Sequence, residues 1–312
     1  MTGDPAATTQ ISAQALIADV GGTNTRMALV DAAGTVRDSA RFANDDHAGF
    51  AGVLAAYLGP RNLPPLDACC IAVAGPVTPG RARLTNRDWR FDPAAITAAL
   101  PGGQAPVTLV NDLVALGQAL PGLRPDQVSP LRDMAGPGNG QALVLGLGTG
   151  VNACPVTQRG GGLSVLEVEL GHASLPASVF AALHQAVGAA AERFGSVEHL
   201  FSGRGLVQLH LARTGEDRPA AEIVAEAPET VALSGRLLGL LARELVFQYL
   251  PLGGLYFAGS VARGLLTGGA QGPLCDTFAA DGPFADIVRQ VPLRLITDDG
   301  AALTGLARLA TA

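Results

Sequence analysis

Residues 16–30, LIADVGGTNTRMALV, decide the fold. Two short runs rich in β-forming residues, LIADV and RMALV, flank GGTNT, and TVRDSARF continues the pattern as a third strand. A Gly-Gly pair in a tight turn leaves backbone N–H groups uncovered by side chains, and such groups bind phosphate oxygens. The stretch therefore predicts a β-hairpin whose turn holds a phosphate. An ordinary hairpin turn is the alternative reading.

The same supersecondary unit occurs a second time, where QALVLGL and VNACPV flank GTG. Gly148, Thr149 and Gly150 offer the same kind of backbone donors as the first turn. The first turn does not fit a Walker loop, because the GxxxxGK[ST] spacing is missing, and it does not fit a dinucleotide fingerprint, because a strand follows the turn. Two such hairpins predict a nucleotide held by two related lobes.

The remaining sequence alternates between strand and helix patterns. ACCIAVAGPV and APVTLVND are short apolar runs bounded by turn residues, as in buried parallel strands. Apolar residues at three-and-four spacing predict helices over SVFAALHQAVGAAAERFG, SVEHLFSGRGLVQLHLAR and ETVALSGRLLGLLARELVFQYL. GGLYFAGS and VPLRLIT return to strand, and GAALTGLARLA is a final helix. This order predicts an α/β fold with two sheets.

Composition limits the class of protein. A chain of 312 residues with 48% hydrophobic content suits two domains. The net charge of -6, without a run of Lys or Arg, argues against a nucleic-acid partner. No basic segment followed by an apolar one starts the chain, and no apolar run reaches the roughly 18 residues of a membrane helix. We expect a cytoplasmic protein that binds a small neutral or anionic ligand and no membrane.

Polar residues stand at the ends of two predicted strands. Asp19 precedes the first turn and is placed to order water on Mg²⁺, an ion that favours one or two carboxylates plus substrate phosphates. Asn111 and Asp112 stand between a strand and a helix, where open α/β sheets gather ligands. Asp112 can cap the helix, or it can take the proton from a hydroxyl that attacks a phosphoryl group. The two roles are compatible.

Three further residues suit recognition of a sugar. Glu169 and His172 stand in ELGH, and Glu198 stands in VEHLFSG. Carboxylates can accept hydrogen bonds from two neighbouring hydroxyls. The alternative readings are a solvated helix residue for Glu198 and a structural loop histidine for His172. Because His172 lacks a companion at metal-ligand spacing, we do not expect zinc.

Read in order, DVGGTN, LTNRDW, VND, GTG, ELGH, SGRGL and FAGS resemble the bacterial glucokinase family, within the superfamily of hexokinases, actin and heat-shock chaperones. The resemblance implies a two-lobed actin-like ATPase fold of the ribonuclease H-like type, with sugar and nucleotide in a cleft between the lobes. The implied small lobe comprises residues 1–110 with 299–312, and the large lobe comprises residues 111–298. The family also suggests a homodimer.

The resemblance implies an activity and a role for each motif residue. The expected reaction transfers the γ-phosphoryl group of ATP, with Mg²⁺, to the 6-hydroxyl of glucose. Asp112 becomes the general base, and the sugar ligands are Asn111, Asp112, Glu169, His172 and Glu198. The nucleotide contacts are Asp19, Gly21, Gly22, Thr23, Gly148, Thr149, Gly150 and Gly259. We expect no direct metal ligand, with Asp19 acting through water.

Three residues depart from the family pattern. Asn152 stands where the family usually has glycine, and we expect its Cβ and amide to crowd a close approach to the backbone. Ser260 follows Gly259 where AGG is usual, and Leu170 changes EGGH to ELGH. Two alternatives stay open. One is a kinase for another hexose or an amino sugar, because the same ligands can bind hydroxyls shared by several sugars. The other is a sugar-sensing regulator with weakened nucleotide turnover, which the Asn152 and Ser260 departures allow.

Overall fold

The structure is a computed structural model, and it describes residues 14–134 and 138–311. The elements up to residue 122 are β1 (Ala15–Val20), β2 (Asn24–Val30), β3 (Val36–Ala43), α1 (Phe50–Leu58), β4 (Ala68–Val73), β5 (Val77–Thr78), β6 (Arg81–Arg83), β7 (Arg90–Phe91), α2 (Pro93–Ala99), β8 (Val107–Asn111) and α3 (Asp112–Ala119). The later elements are β9 (Val128–Arg132), β10 (Gln141–Leu147), β11 (Val151–Arg159), β12 (Gly162–Val165), α4 (Ala177–Val187), α5 (Val197–Phe201), α6 (Gly203–Thr214), α7 (Ala220–Glu226), α8 (Pro228–Tyr249), β13 (Leu255–Ala258), α9 (Ser260–Leu265), α10 (Gln271–Ala279), α11 (Ala285–Arg289), β14 (Leu293–Ile296) and α12 (Ala301–Ala310).

The chain divides into two compact units. Unit 1 comprises the described residues up to Gly122 together with those from Gly300 onward, and unit 2 comprises Leu123–Asp299. The division therefore falls at Gly122 rather than at residue 110, and Asn111, Asp112 and α3 belong to unit 1. The physical reason is that α3 packs against α12: a Cβ on Gly305 of α12 would lie only 1.8 Å from the Ala115 carbonyl oxygen of α3.

Unit 1 contains a mixed five-stranded sheet in the order β3-β2-β1-β4-β8. The β1–β2 and β2–β3 pairs are antiparallel, whereas β1–β4 and β4–β8 are parallel. Both faces of β1 are covered: Leu16 and Val20 pack in the cluster that includes α1, and Ile17 packs in the cluster that includes α12. Burial on both faces explains why these strands are apolar at successive positions rather than alternating.

Unit 2 repeats this arrangement. Its sheet has the order β12-β11-β10-β13-β14-β9, in which the first five strands match the order and directions of the unit 1 sheet. β9 adds one antiparallel strand next to β14. The prediction that the chain contains the same hairpin unit twice is confirmed, as is the α/β fold class.

Some helix boundaries differ from the periodicity. The pattern predicted over SVFAALHQAVGAAAERFG breaks where Gly188 adopts a φ of 60°, so α4 ends there and a 3-10 segment follows. The next pattern is split between α5 and α6 by Ser202, whose hydroxyl accepts from the Gly205 N–H and caps α6. Among the described residues, no helix combines the length and the apolar character needed to cross a membrane.

Candidate active site

Asn44 stabilises the first glycine turn through hydrogen bonds of its side chain and its backbone. Asn44 Nδ2 donates to the Gly21 carbonyl at 2.8 Å, and its backbone N–H donates to the Thr23 carbonyl at 2.9 Å. Its Oδ1 accepts from Thr25 Oγ1 at 2.8 Å, and both side chains are fully buried. A satisfied buried network of this kind fixes the shape of the turn. Sequence reasoning missed Asn44, because nothing local links it to GGTNT.

The segment LTNRDW lies against the same turn. Arg87 Nε donates to the Gly22 carbonyl at 2.6 Å, and the guanidinium also pairs with the Asp45 carboxylate. A Cβ on Gly22 would lie 3.4 Å from Asn86 Nδ2. The sequence indicated this segment only as a point of resemblance, and the structure makes it a support for the predicted phosphate turn.

Asp19 lies near the turn of the first hairpin, opposite Arg26 in the β1–β2 register. Asp19 Oδ2 is 3.7 Å from Arg26 Nη1, and the Asp19 side chain is 13% exposed. The predicted magnesium-ordering carboxylate thus has a cationic neighbour within its own hairpin. Arg26 follows the glycine motif directly, but the sequence prediction gave it no role.

The strands of unit 1 bring the first turn and the VND motif to one sheet edge. Val20 pairs with Val73, and Val73 pairs with Asn111, so β1, β4 and β8 end at the same level. Asn111 Nδ2 donates to the Gly75 carbonyl at 3.2 Å. The predicted placement of these motifs at the carboxyl ends of parallel strands agrees with this register.

Asn111, not Asp112, is the N-cap of α3. The Asn111 backbone is extended, and its Oδ1 accepts from the Leu113 N–H at 3.0 Å. Asp112 is the first residue of the helix, and its Oδ1 accepts from the same N–H at 3.0 Å. The interpretation of Asp112 as the N-cap is therefore wrong, because the Asp112 backbone already belongs to the helix.

The Asp112 carboxyl is a weaker acid than an ordinary aspartate side chain. Burial raises its pKa to about 6, and hydrogen bonds from the backbone N–H groups of Leu113 and Asp112 offset only part of this effect. A carboxyl group with a pKa near neutral is suited to accept a proton during catalysis.

The second glycine turn is fixed by its own backbone and by two neighbouring segments. The Gly148 N–H donates to the Gly150 carbonyl at 2.9 Å, and the Gly203 N–H at the start of α6 donates to the Gly148 carbonyl at 3.0 Å. Gly259 lies at the same edge, where its φ is 96° and a Cβ would lie 2.3 Å from the Leu147 carbonyl oxygen. The structure thus brings Gly148, Gly150 and Gly259 together, and packing alone already requires glycine at 259.

The three unit 2 residues predicted to bind sugar lie beside this turn. Leu170–His172 form a 3-10 turn in which the His172 N–H donates to the Glu169 carbonyl at 3.2 Å. A Cβ on Gly171 would lie 2.2 Å from the Val151 carbonyl oxygen and 3.4 Å from Glu198 Cβ. Close packing at Gly171 therefore joins the ELGH turn, the second hairpin and the helix that carries Glu198.

Glu198 is engaged by the second hairpin. Its Oε2 accepts from the Val151 N–H at 3.1 Å, and its Oε1 lies 3.5 Å from Arg204 Nη2. Glu198 is partly buried, whereas the alternative interpretation of the sequence made it a solvated helix residue.

Asn152 departs from the role expected for it. Its Nδ2 donates to Glu169 Oε2 at 3.2 Å, and its Oδ1 accepts from the backbone N–H groups of Leu170 and Ala153 at 2.9 and 2.8 Å. The amide that was expected to crowd the nucleotide side is committed to the ELGH segment.

Comparisons with known proteins agree with the fold and with the family resemblance. The family model described as glucokinase matches residues 16–312. A glucokinase from Nitrobacter hamburgensis is 30% identical over 96% of this chain and 98% of its own length. The crystal structure of a glucokinase from an Antarctic psychrotroph superposes with a TM-score of 0.75 at 26% identity, over 96% of this chain and 99% of that one. A ROK family glucokinase from Streptomyces griseus, solved with glucose and AMPPNP, has a TM-score of 0.61 at 18% identity, over 95% and 98% of the two chains.

Proposed function

The chain belongs to the glucokinase family, and on this basis we propose that it is an ATP-dependent hexose kinase that converts ATP and D-glucose into ADP and D-glucose 6-phosphate. The observation that carries the proposal is the partly buried Asp112 carboxyl, with its raised pKa, at the sheet edge that also carries the first glycine turn. A phosphoryl transfer needs a positioned base beside groups that bind phosphate, and unit 1 offers both.

In the proposed reaction, Asp112 accepts the proton of the 6-hydroxyl. The hydroxyl oxygen forms a bond to the γ-phosphorus, the bond between that phosphorus and the β–γ bridging oxygen breaks, and the bridging oxygen leaves with ADP. Because phosphoryl transfer demands little covalent chemistry of the protein, positioning and charge stabilisation account for most of the catalysis. The Asn111 cap supports this role, since it fixes the start of the helix that presents Asp112.

The proposal assigns Asn111, Asp112, Glu169, His172 and Glu198 to the sugar. Glu169 and His172 share one tight turn, and Glu198 lies against it, so three residues able to bond hydroxyl groups are close together in unit 2. The two carboxylates are already oriented by bonds to residues 151 and 152. Neighbouring hydroxyls on a sugar ring suit such a pair of acceptors.

The nucleotide is assigned to the two glycine turns, with Asp19, Gly21, Gly22 and Thr23 in unit 1 and Gly148, Thr149, Gly150 and Gly259 in unit 2. The Gly21 and Gly148 N–H groups donate within their own turns, and the other backbone N–H groups of the two turns, together with the Thr hydroxyls, suit phosphate oxygens. The AMPPNP in the Streptomyces griseus protein supports ATP as the donor. Asp19 is a single carboxylate at the phosphate turn, which suits Mg²⁺ held through water, and the ion when bound would neutralise phosphate charge. A cytoplasmic location and a homodimer complete the proposal.

A coupled assay for glucose 6-phosphate, with ATP and Mg²⁺, tests the proposed function. We expect glucose-dependent formation of NADPH when glucose-6-phosphate dehydrogenase and NADP⁺ are supplied. Running the reaction with other hexoses and with amino sugars, and following ADP release, distinguishes a kinase with another preferred sugar. Glucose binding without any ADP release would instead support the sugar-sensing regulator and overturn the kinase.

A further inference from the structure

Asn152 connects the second glycine turn to the segment that carries Glu169. It is the second residue of β11, directly after Val151, whose N–H binds Glu198. Three hydrogen bonds occupy its amide: two backbone N–H groups donate to Oδ1, and Nδ2 donates to the Glu169 carboxylate. Residues 151 and 152 of one strand therefore contact both carboxylates that unit 2 contributes to the proposed sugar site.

The orientation of this amide follows from its neighbours. The N–H groups of Leu170 and Ala153 lie 2.9 and 2.8 Å from the same side-chain atom, and both can only donate. That atom must be the amide oxygen, because an NH₂ group offers no acceptor. The NH₂ group then faces Glu169 Oε2, which as a carboxylate oxygen can only accept when ionised.

The segment around Glu169 is held from two sides. Leu170 packs against the hydrophobic core of unit 2, while its N–H is bound by Asn152. Glu169 itself is exposed, and an exposed Glu side chain loses considerable rotamer freedom when a ligand orders it. A donor that already holds one carboxylate oxygen reduces this loss, which is the general advantage of preorganisation.

We propose that Asn152 is a positioning residue of the sugar site, which orients the Glu169 carboxylate through Nδ2 and fixes the backbone of the ELGH turn through Oδ1. The inference rests on the proposed function, since it takes Glu169 as a ligand of glucose. One carboxylate oxygen is held by Asn152, and the other is left to accept from sugar hydroxyls. The proposal places Asn152 beside the sugar segment, where its Oδ1 binds the backbone N–H of Leu170.

The variant Asn152→Asp separates the two halves of this role. It keeps an acceptor for the N–H groups of Leu170 and Ala153, but it replaces the donor facing Glu169 by a second carboxylate oxygen. We expect the Kd for glucose, measured by calorimetry without nucleotide, to rise by about tenfold or more, because a charge-assisted bond becomes a like-charge contact. The melting temperature and the KM for ATP should stay close to the wild-type values.

A double-mutant cycle shows whether the effect passes through Glu169. Glu169→Gln weakens glucose binding by itself, and adding Asn152→Asp to it should change the Kd by less than about twofold, since the like-charge contact no longer exists. A merely structural role for Asn152 would give the same fold-change in both backgrounds. Additive effects would therefore overturn the inference.

Asn139→Ala is the matched control. Asn139 also makes three hydrogen bonds, to Gln141 and the Leu250 carbonyl, and it lies just before the other end of β10. This variant should leave the Kd for glucose unchanged. If Asn152→Asp fails to fold, Asn152→Gly, which installs the residue usual in the family, should still weaken glucose binding more than ATP binding. An unchanged Kd in a folded Asn152 variant of an active enzyme overturns this inference alone, whereas a wild-type protein without hexose kinase activity overturns the proposed function.

Discussion

Asn111 and Asp112 share one hydrogen-bond donor, since the Leu113 backbone nitrogen lies 3.0 Å from an oxygen of each side chain. Only Asn111 has the extended backbone of an N-cap. The helix therefore stays capped when the charge at residue 112 is removed, and catalytic and structural effects at this motif can be separated by mutation.

Asp112→Asn should lower turnover by about a hundredfold or more, the scale of losing a general base, while glucose affinity changes little. The measurement is kcat in the coupled assay, with calorimetry for glucose. Asp92→Asn is the matched control, because Asp92 caps α2 through the Ala94 N–H and lies at the start of a helix that carries no proposed site residue. Near-normal turnover in Asp112→Asn would show that another group takes the proton.

The same substitution should make the folded protein more stable at neutral pH. Burial raises the pKa of Asp112 to about 6, above the ordinary aspartate value of 3.8. For an acid whose pKa is raised on folding, the stabilising contribution is present below the unfolded pKa and is lost as pH rises through the folded one. Asp112→Asn avoids this loss, so its advantage over the wild type should grow between pH 4 and pH 7, toward an upper limit of about 2 to 3 kcal/mol.

Urea unfolding at several pH values measures this difference. A stability difference between the two proteins that does not change with pH would mean that the Asp112 carboxyl titrates alike in the folded and unfolded states. We expect the ionised Asp112 carboxylate to lower the free energy of unfolding at neutral pH, although the proposed reaction requires it.

The predictable parts of this structure are those with local causes. The hairpins at GGTNT and GTG, and the strand end at VND, follow from short apolar runs and glycine turns that can be read within a few residues. The two broken helices were predicted as continuous because the apolar periodicity extends across Gly188 and Ser202. The edge strand β9, VSPLR, carries little strand signal and was missed.

The residues that support the site were missed for a different reason. Asn44 is 19 residues from Thr25, Asn152 is 17 residues from Glu169, and Arg87 is 65 residues from Gly22. These bonds depend on which strands become neighbours, and a polar residue gives no indication of its partner before the sheet is built. Motif resemblance identified the candidate ligands, but only the packing revealed what holds them.

Glu169→Gln and His172→Ala should each raise the KM for glucose far more than the KM for ATP. Each variant leaves a sugar hydroxyl poorly paired, at roughly 1 to 3 kcal/mol, which corresponds to about five- to 150-fold in affinity. Steady-state kinetics with each substrate varied in turn is the measurement. The exposed residues Glu192 and His184 supply controls, as Glu192→Gln and His184→Ala. An equal effect on the KM for ATP would show that the ELGH turn had been assigned to the wrong substrate.

Asn44→Ala should weaken ATP binding and stability together. The substitution leaves the buried Thr25 Oγ1 without its partner, at roughly 1 to 3 kcal/mol, and also removes the donor to the partly buried Gly21 carbonyl. We expect a higher KM for ATP, a lower urea midpoint and a smaller change in the KM for glucose. Asn139→Ala again serves as the control. A stability loss without any change in the KM for ATP would contradict the view that Asn44 shapes a phosphate-binding turn.

Substitutions at Gly148 and Gly150, two glycines of the second turn, should change the KM values of different substrates. A Cβ on Gly150 would lie 2.8 Å from Glu198 Oε2, whereas a Cβ on Gly148 would meet no atom of the described residues within 4 Å other than those of Gly148 and its two chain neighbours. Gly150→Ala should therefore displace the Glu198 carboxylate from the Val151 N–H and raise the KM for glucose by about tenfold, the value of one bond to a charged group. Stability should fall little, because the end of the Glu198 side chain can move.

Gly148→Ala is the counterpart of this experiment. Its methyl group covers backbone donors proposed to bind phosphate without touching Glu198, so the KM for ATP should rise while the KM for glucose stays near the wild-type value. Both KM values are measured for both variants. We expect Gly150→Ala to raise the KM for glucose and Gly148→Ala to raise the KM for ATP. If both substitutions raise only the KM for ATP, the whole turn belongs to the nucleotide and Glu198 does not bind the sugar. If both raise only the KM for glucose, the second turn does not hold a phosphate.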